Sequence, residues 1–430
     1  MTDDQRPGAE LSAVRRVTVS IVSNFLFYCL GLYTLLPVLP VLIPKLHAGT
    51  GLLMIGLTLG AFNFAVRGSS VFVGGYLHRN PVRSVMITGL LTAAAGYVLV
   101  AYSPSATTML LALILAGVGT STNGLAARVY ISMTVSGATE RNNVFSAMQV
   151  AVNLAAALGP IIGDFLFGRG LVRPMMIGIA ASYCAAALVV RATVPRGLRP
   201  DADSARAPLR FGLLRVIVAD RPVRRVSIVA AVGGLLYAQF FSAVALQVAR
   251  LTTSPSLRAS VFTANAVIIV AAQVPISAAV KRRLLAGISP LTLLAAGMAL
   301  YVLSFAVMGG LGLHIYGVYL ATVLFSLAET LFTPLVNTAF AELDGDRPLV
   351  EVFNLRQVAV TVGESSGSFL GGALYLTAAE RGETAGYWLA LAAVGAVVAV
   401  PHLWSGRRRP ISAQPAQEVS TELENRKVSR

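Results

Sequence analysis

The chain reads as long apolar stretches separated by short polar breaks. Each stretch is close to the ~20 residues that a helix needs to cross a bilayer. Twelve can be counted, near 17–43, 52–77, 85–102, 109–135, 144–168, 175–194, 226–248, 259–280, 291–308, 315–340, 353–377 and 387–403. One break is long. Residues 191–225, rich in Arg, Pro and Asp, separate the sixth stretch from the seventh. They read as a linker, with an amphipathic helix at 211–217 lying on the membrane surface. The pattern predicts an all-α membrane protein of twelve transmembrane helices.

Two of the stretches repeat each other. Residues 145–164 read FSAMQVAVNLAAALGPIIGD and residues 353–372 read FNLRQVAVTVGESSGSFLGG. They align without a gap, Gln149 on Gln357, Gly159 on Gly367 and Gly163 on Gly371. Small residues recur four apart in both (Ala155, Gly159, Gly163; Gly363, Gly367, Gly371), which puts them on one face where another helix backbone can approach closely. The chain is therefore expected to hold two halves of one plan. Its predicted parts are a cytoplasmic segment 1–16, a six-helix bundle 17–194, a cytoplasmic linker 195–225, a second six-helix bundle 226–404 and a disordered cytoplasmic tail 405–430.

Charge changes the picture only by orienting it. The chain is 56% hydrophobic and 12% charged, with a net charge of +15; soluble domains carry roughly twice that charge. With both termini inside, the inner segments hold Arg6, Arg15, Arg16, Arg79, Arg83, Arg141, nine arginines over 191–225, Lys281, Arg282, Arg283, Arg347 and six basic residues after Leu403. The outer loops hold Lys45, Arg169, Arg173, Arg250, Arg258 and Arg381. The bias, roughly four to one, is a topology signal. Charges scattered in this way argue against a nucleic-acid face. The first apolar run is too long for a signal-peptide core and lacks a small-residue exit, so it reads as a retained span. Cys29 and Cys184 both lie in apolar spans and read as packing residues.

Three local patterns resemble the twelve-span drug:proton antiporter branch of the major facilitator superfamily. Asn153 followed by Gly159-Pro160-Ile161-Ile162-Gly163 is similar to that branch's G-P-x-x-G motif. Glu329, with Pro334 five residues on, is similar to the G-E-x-x-x-x-P pattern of some bacterial exporters. Gly74 to Arg79 followed by Arg83 resembles the loop motif between spans two and three. The resemblance implies two parallel six-helix bundles that rock about a central site. Two departures stand out: His78 or Arg79 occupies the place of the loop's aspartate, and Leu113 stands where the fourth span of antiporters carries an arginine.

Ionisable groups inside a membrane cost about 2.5–3.5 kcal/mol each at the helix centre, so each one calls for a role. Glu329 falls mid-way along the tenth span, Glu364 mid-way along the eleventh, Arg67 in the second and Arg128 in the fourth. These four are the proton-coupling candidates. A carboxyl group in low dielectric can exchange a proton as access alternates. The resemblance ranks Glu329 first, because the tenth span lines the family's cavity. The alternatives remain a carboxyl satisfied by Ser326 or Thr330, a Glu364 paired with an arginine, and an Arg128 that reaches the interface on its long stem. Arg356 reads as a helix-end residue, and Asp164 as solvated near the outer surface. Substrate contacts are expected from Asn24, Tyr28, Tyr33, Asn123, Tyr237, Gln239 and Asn337, each of which could equally be a helix–helix hydrogen bond. Pro37, Pro40, Pro160 and Pro334 should kink their helices.

Enzyme signatures are missing. His47, His78, His314 and His402 form no H-E-x-x-H, and no G-K-[ST] phosphate loop would couple ATP. The expectation is a secondary transporter, not an enzyme, with no cofactor and no metal. It would sit in a bacterial cytoplasmic membrane and act as a monomer in the lipid bilayer. It would export a small amphipathic molecule, a drug or natural product, with protons as coupling ion. The alternative is a uniporter or importer of an organic anion, with Arg67 and Arg128 as partners.

Overall fold

The computed structural model describes residues 6–69, 72, 76, 77, 79–135, 138–199, 212–343 and 349–404. The described residues are helical almost throughout. The first span is Arg6–Leu35 and Leu39–Leu46, and the second is Leu52–Gly68. Spans three to six are Val82–Ala101, Ala106–Thr134, Ala138–Gly168 and Val172–Thr193. A short helix, Gly212–Ala219, overlaps the expected surface segment and leads into the seventh span, Arg221–Leu251. Spans eight to twelve are Pro255–Leu285, Pro290–Leu311, Ile315–Ala341, Leu349–Glu380 and Thr384–Trp404.

Local sequence explains the breaks. The first span turns at residues 36–38, where Pro37 and then Pro40 supply no N–H to continue the ladder. Ser105, Asp220, Ser254 and Ser289 cap the spans that follow them with side-chain oxygens. The fifth and eleventh spans each run out into a left-handed glycine, Gly170 (φ 74°) and Gly382 (φ 75°).

Among the described residues ten helices are by themselves long and apolar enough to cross a membrane. The other two spans are the second, with only 17 residues, and the eleventh, diluted by Glu351, Arg356, Glu364 and Glu380. These two pack against each other. The least lipid-compatible helices thus face one another across the middle of the molecule.

Buried apolar residues fall into two clusters, one within residues 17–194 and one within 223–399, with Val41 and Leu376 packed against both. The aligned glycines make the same contact twice. A Cβ on Gly159 would stand 2.7 Å from the Tyr33 carbonyl carbon, so the fifth span lies directly on the first. A Cβ on Gly367 would stand 2.8 Å from the Leu235 Cα, so the eleventh lies on the seventh. The fold is two six-helix bundles related by this repeat.

Two seams join the bundles. Along one, Gly56 and Gly60 of the second span receive Ala373 and Phe369 of the eleventh, and Asn63 donates to the Ser368 hydroxyl at 2.8 Å. Along the other, the Thr263 hydroxyl of the eighth span donates to the Ala157 carbonyl of the fifth at 3.2 Å. Twelve crossings return the chain to the face it started from, the terminal face. At the opposite, far face, Leu39–Leu46 touches Ala245–Leu251, and Gly168 accommodates Pro255. Toward the terminal face Arg128, Gln149, Thr333 and Asn337 stand exposed. The bundles therefore meet at the far face, and both present exposed polar side chains toward the terminal face, on the side of the cleft between them.

Candidate functional site

The cleft wall carries a chain of polar groups drawn from both bundles. Arg67 sits in the last turn of the second span and points Nε to 3.0 Å from Oε2 of Glu364 on the eleventh. No aligned hydrogen bond reaches that oxygen, so charge holds the pair. The Arg67 side chain is 44% exposed and that of Glu364 only 6%, so the arginine is wet from the cleft while the carboxylate is not. The Gln357 amide fixes the same crossing by donating to the Arg67 carbonyl at 2.8 Å. Arg356, half-buried on the same span, adds a second positive charge near Glu364.

Glu329 stands half-buried on the tenth span. Its Oε2 accepts from the Asn265 amide of the eighth span at 3.2 Å, and the Ser326 hydroxyl donates to Asn265 Oδ1 at 3.0 Å, which fixes that amide's orientation. Tyr237 of the seventh span lies close to both Glu329 and Arg67. Ser326, Asn265 and Glu329 thus form a hydrogen-bonded chain within one bundle, and Arg67 of the other, paired with Glu364, lies near enough for its charge to act on Glu329. With Arg356 the cluster holds two carboxylates and two guanidinium groups. Protonating either acid leaves it net positive.

The structure brings Glu329, Glu364, Arg67, Tyr237 and Tyr33 to one stretch of the cleft, with Tyr33 facing Phe241 across the bundles at 6.3 Å between ring centres. It places the other candidates elsewhere. Asn24 and Asn123 are fully buried and hydrogen-bond each other at 3.3–3.4 Å inside the first bundle. Tyr28 is buried against Phe25 and Tyr183. Gln239 is buried, donating to the Gly367 and Leu235 carbonyls and accepting from the Tyr387 hydroxyl at 2.6 Å. Arg128 and Asn337 are exposed nearer the terminal face. Asn153 accepts from the exposed Gln149 at 3.0 Å, and Pro160 is buried within its helix. Arg83 donates to the Arg191 carbonyl at 2.6 Å and ties the third span to the sixth. Arg79 is exposed; Gly74 and His78 lie outside the described residues.

One expectation is corrected. Asp164 is not solvated: it is 3% exposed and accepts from Arg258 Nε at 2.8 Å, a pair between the fifth and eighth spans at the far face. Asn265 went unremarked in the sequence, although it is an isolated amide in an apolar run. So did the π-helical stretch Phe240–Val244, which interrupts the seventh span beside Gln239. Among the described residues no group of three His, Cys, Asp or Glu is placed to hold a metal.

Residues 21–363, about four-fifths of the chain, match the family model of the Major Facilitator Superfamily. The chain belongs to that superfamily. Among curated proteins this superfamily member is similar to the multidrug resistance protein MdtH of Yersinia pestis (strain Pestoides F). The two are 24% identical over 398 residues, which cover 90% of this chain and 94% of the relative. Among solved structures it is similar to a POT family transporter in complex with a thioalcohol-conjugated peptide. That match has a TM-score of 0.72 at 14% identity and covers 90% of this chain and 95% of the other. It is also similar to a bacterial homologue of the human lysosomal transporter Spinster in an inward-facing, unoccupied conformation, with a TM-score of 0.69 at 13% identity, over 93% and 99% of the two chains. Identities this low carry the fold alone. The chain is a multi-pass membrane transporter and not an enzyme.

Proposed function

We propose that this transporter is a proton-coupled exporter of small amphipathic molecules in a bacterial cytoplasmic membrane, with the terminal face toward the cytoplasm. The observation that carries the reading is Glu329, a carboxyl group on the cleft wall. It accepts from Asn265 at 3.2 Å and lies near enough to Arg67 of the opposite bundle to feel its charge. When ionised, Glu329 attracts Arg67 and favours approach of the bundles at this level. When protonated, it releases that attraction and leaves Arg67 to Glu364. A group whose charge links the bundles, and which the cleft keeps within reach of water, is what coupling a proton to alternating access requires. The basic residues that crowd the terminal face support the orientation, and the resemblance to the Yersinia multidrug resistance protein supports the substrate class.

The cleft wall suits an amphipathic cargo, since Tyr33, Tyr237 and Phe241 offer ring faces beside the polar groups. An organic-anion carrier is the second reading. It draws on the 44% exposure of Arg67, but Glu364 at 3.0 Å already offsets that charge. Proteoliposomes with an imposed pH gradient separate the two. The exporter predicts movement of an amphipathic cationic dye against its gradient, driven by protons moving the other way. Uptake of an organic anion with no response to the pH gradient would replace it with the second reading.

A further inference from the structure

Away from the cleft, the eighth and tenth spans part to leave a trough of about 420 Å³, within the ~300–1,000 Å³ range of small-molecule sites. Its walls are largely aliphatic, with Ile276, Val280 and Leu284 facing Leu331 and Leu335. Helix periodicity fixes which way it opens. Glu329, Thr333 and Asn337 recur four apart and share the cleft face of the tenth span. Thr330, Leu331, Pro334, Leu335 and Thr338, which line the trough, centre roughly a third of a turn round the same helix from that face. The trough therefore faces away from the cleft, toward the lipid around the bundle. Pro334 lines it and Pro275 lies beside it on the eighth span, and each removes one backbone hydrogen bond from its helix.

The terminal end of the trough is basic. Lys281 lines it, and Arg282 and Arg283 follow in the last turn of the eighth span. All three are exposed, and none makes an ion pair among the described residues. Glu342, the carboxylate at that end of the tenth span, already has an interaction of its own. An aliphatic trough facing lipid, with Lys281 on its wall and Arg282 and Arg283 beside it at the membrane surface, matches one occupant in both parts. We propose that it binds an acidic phospholipid, with an acyl chain between the two spans and the phosphate at Lys281–Arg283. The site adjoins the coupling group without including it, and the proposal holds whatever the transported substrate is. The occupant would wedge the eighth span from the tenth one residue from Glu329, at Thr330.

The test is lipid titration of the purified full chain, read by native mass spectrometry and by thermal midpoint. The probes are dioleoylphosphatidylglycerol, dioleoylphosphatidylcholine and the chainless headgroup glycerol 3-phosphate. Phosphatidylglycerol should bind and raise the midpoint, phosphatidylcholine should do so far more weakly, and glycerol 3-phosphate should do neither. Lys281→Gln/Arg282→Gln/Arg283→Gln should weaken phosphatidylglycerol on the order of a hundredfold, from about 1 kcal/mol per basic residue. Val280→Trp, which fills the trough and leaves the cations, should weaken it severalfold. Equal binding of the two phospholipids would overturn the proposal, as would a triple variant that binds like wild type. Glycerol 3-phosphate binding as well as the lipid would reassign the cations to a free phosphate. Should a variant fail to fold, the wild-type comparison of the three probes decides alone.

Discussion

Replacing Asp164 with Asn removes one charge from the pair it forms with Arg258 and keeps its shape. The two side chains are 5% and 11% exposed, so water is poorly placed to replace the lost partner. At 2.8 Å and an effective dielectric of about 20, their attraction is roughly 6 kcal/mol before desolvation. Removing one member of a buried pair costs about 3–5 kcal/mol. The Asn carbonyl can still accept from Arg258, so the low end, about 3 kcal/mol, applies. The pair joins the fifth span to the eighth at the far face, and the cost falls on the state in which that face is closed. The equilibrium should shift toward an open far face by about a hundredfold. Spin labels at Arg169→Cys and Thr253→Cys, both exposed at that face, read it, with Cys29 and Cys184 replaced by alanine. Wild type should give one short inter-label distance; Asp164→Asn and Arg258→Gln should each add a longer population. The reversed pair Asp164→Arg/Arg258→Asp should recover part of the closed state. Identical distance distributions in wild type and Asp164→Asn would refute the latch.

Arg67→Met leaves Glu364, 6% exposed, without its nearest countercharge, and should lower stability by about 2–4 kcal/mol in thermal unfolding. Adding Glu364→Leu should restore most of it, which a purely steric role for Arg67 would not allow. Gly159→Val and Gly367→Val each drive a branched side chain into a helix backbone less than 3 Å away and should cost at least about 1–3 kcal/mol. Gly178→Val, with nothing within 4 Å, should lie close to wild type in the same assay.

The fold was legible because hydropathy and the small-residue repeat are properties of single helices. Gly159 and Gly367 announce a close-packed face wherever the partner is, and the partners proved to be the first and seventh spans. Four spans stood out in the sequence as interrupted by charge, the second, fourth, tenth and eleventh, and the structure sets the second against the eleventh. The site was legible only as a set of expensive residues. Arg67, Glu329 and Glu364 attract notice because lipid penalises them, but no spacing along one helix says which will meet across two bundles. Asp164 shows the limit most plainly: its position near a helix end predicts solvation, and only the fold brings Arg258, 94 residues on, to bury it. The same holds for Asn24 and Asn123, which look alike as cavity polar groups until each is found to satisfy the other.

The proton-coupling role of Glu329 is tested most directly by flux through proteoliposomes loaded with a fluorescent amphipathic dye, comparing wild type with Glu329→Gln. The glutamine is nearly isosteric and can keep a bond to Asn265, so folding and downhill dye exchange should persist. Movement of dye against its gradient under an imposed pH gradient should vanish. Gradient-driven movement at the wild-type rate in Glu329→Gln would contradict the account and leave the proton to another group.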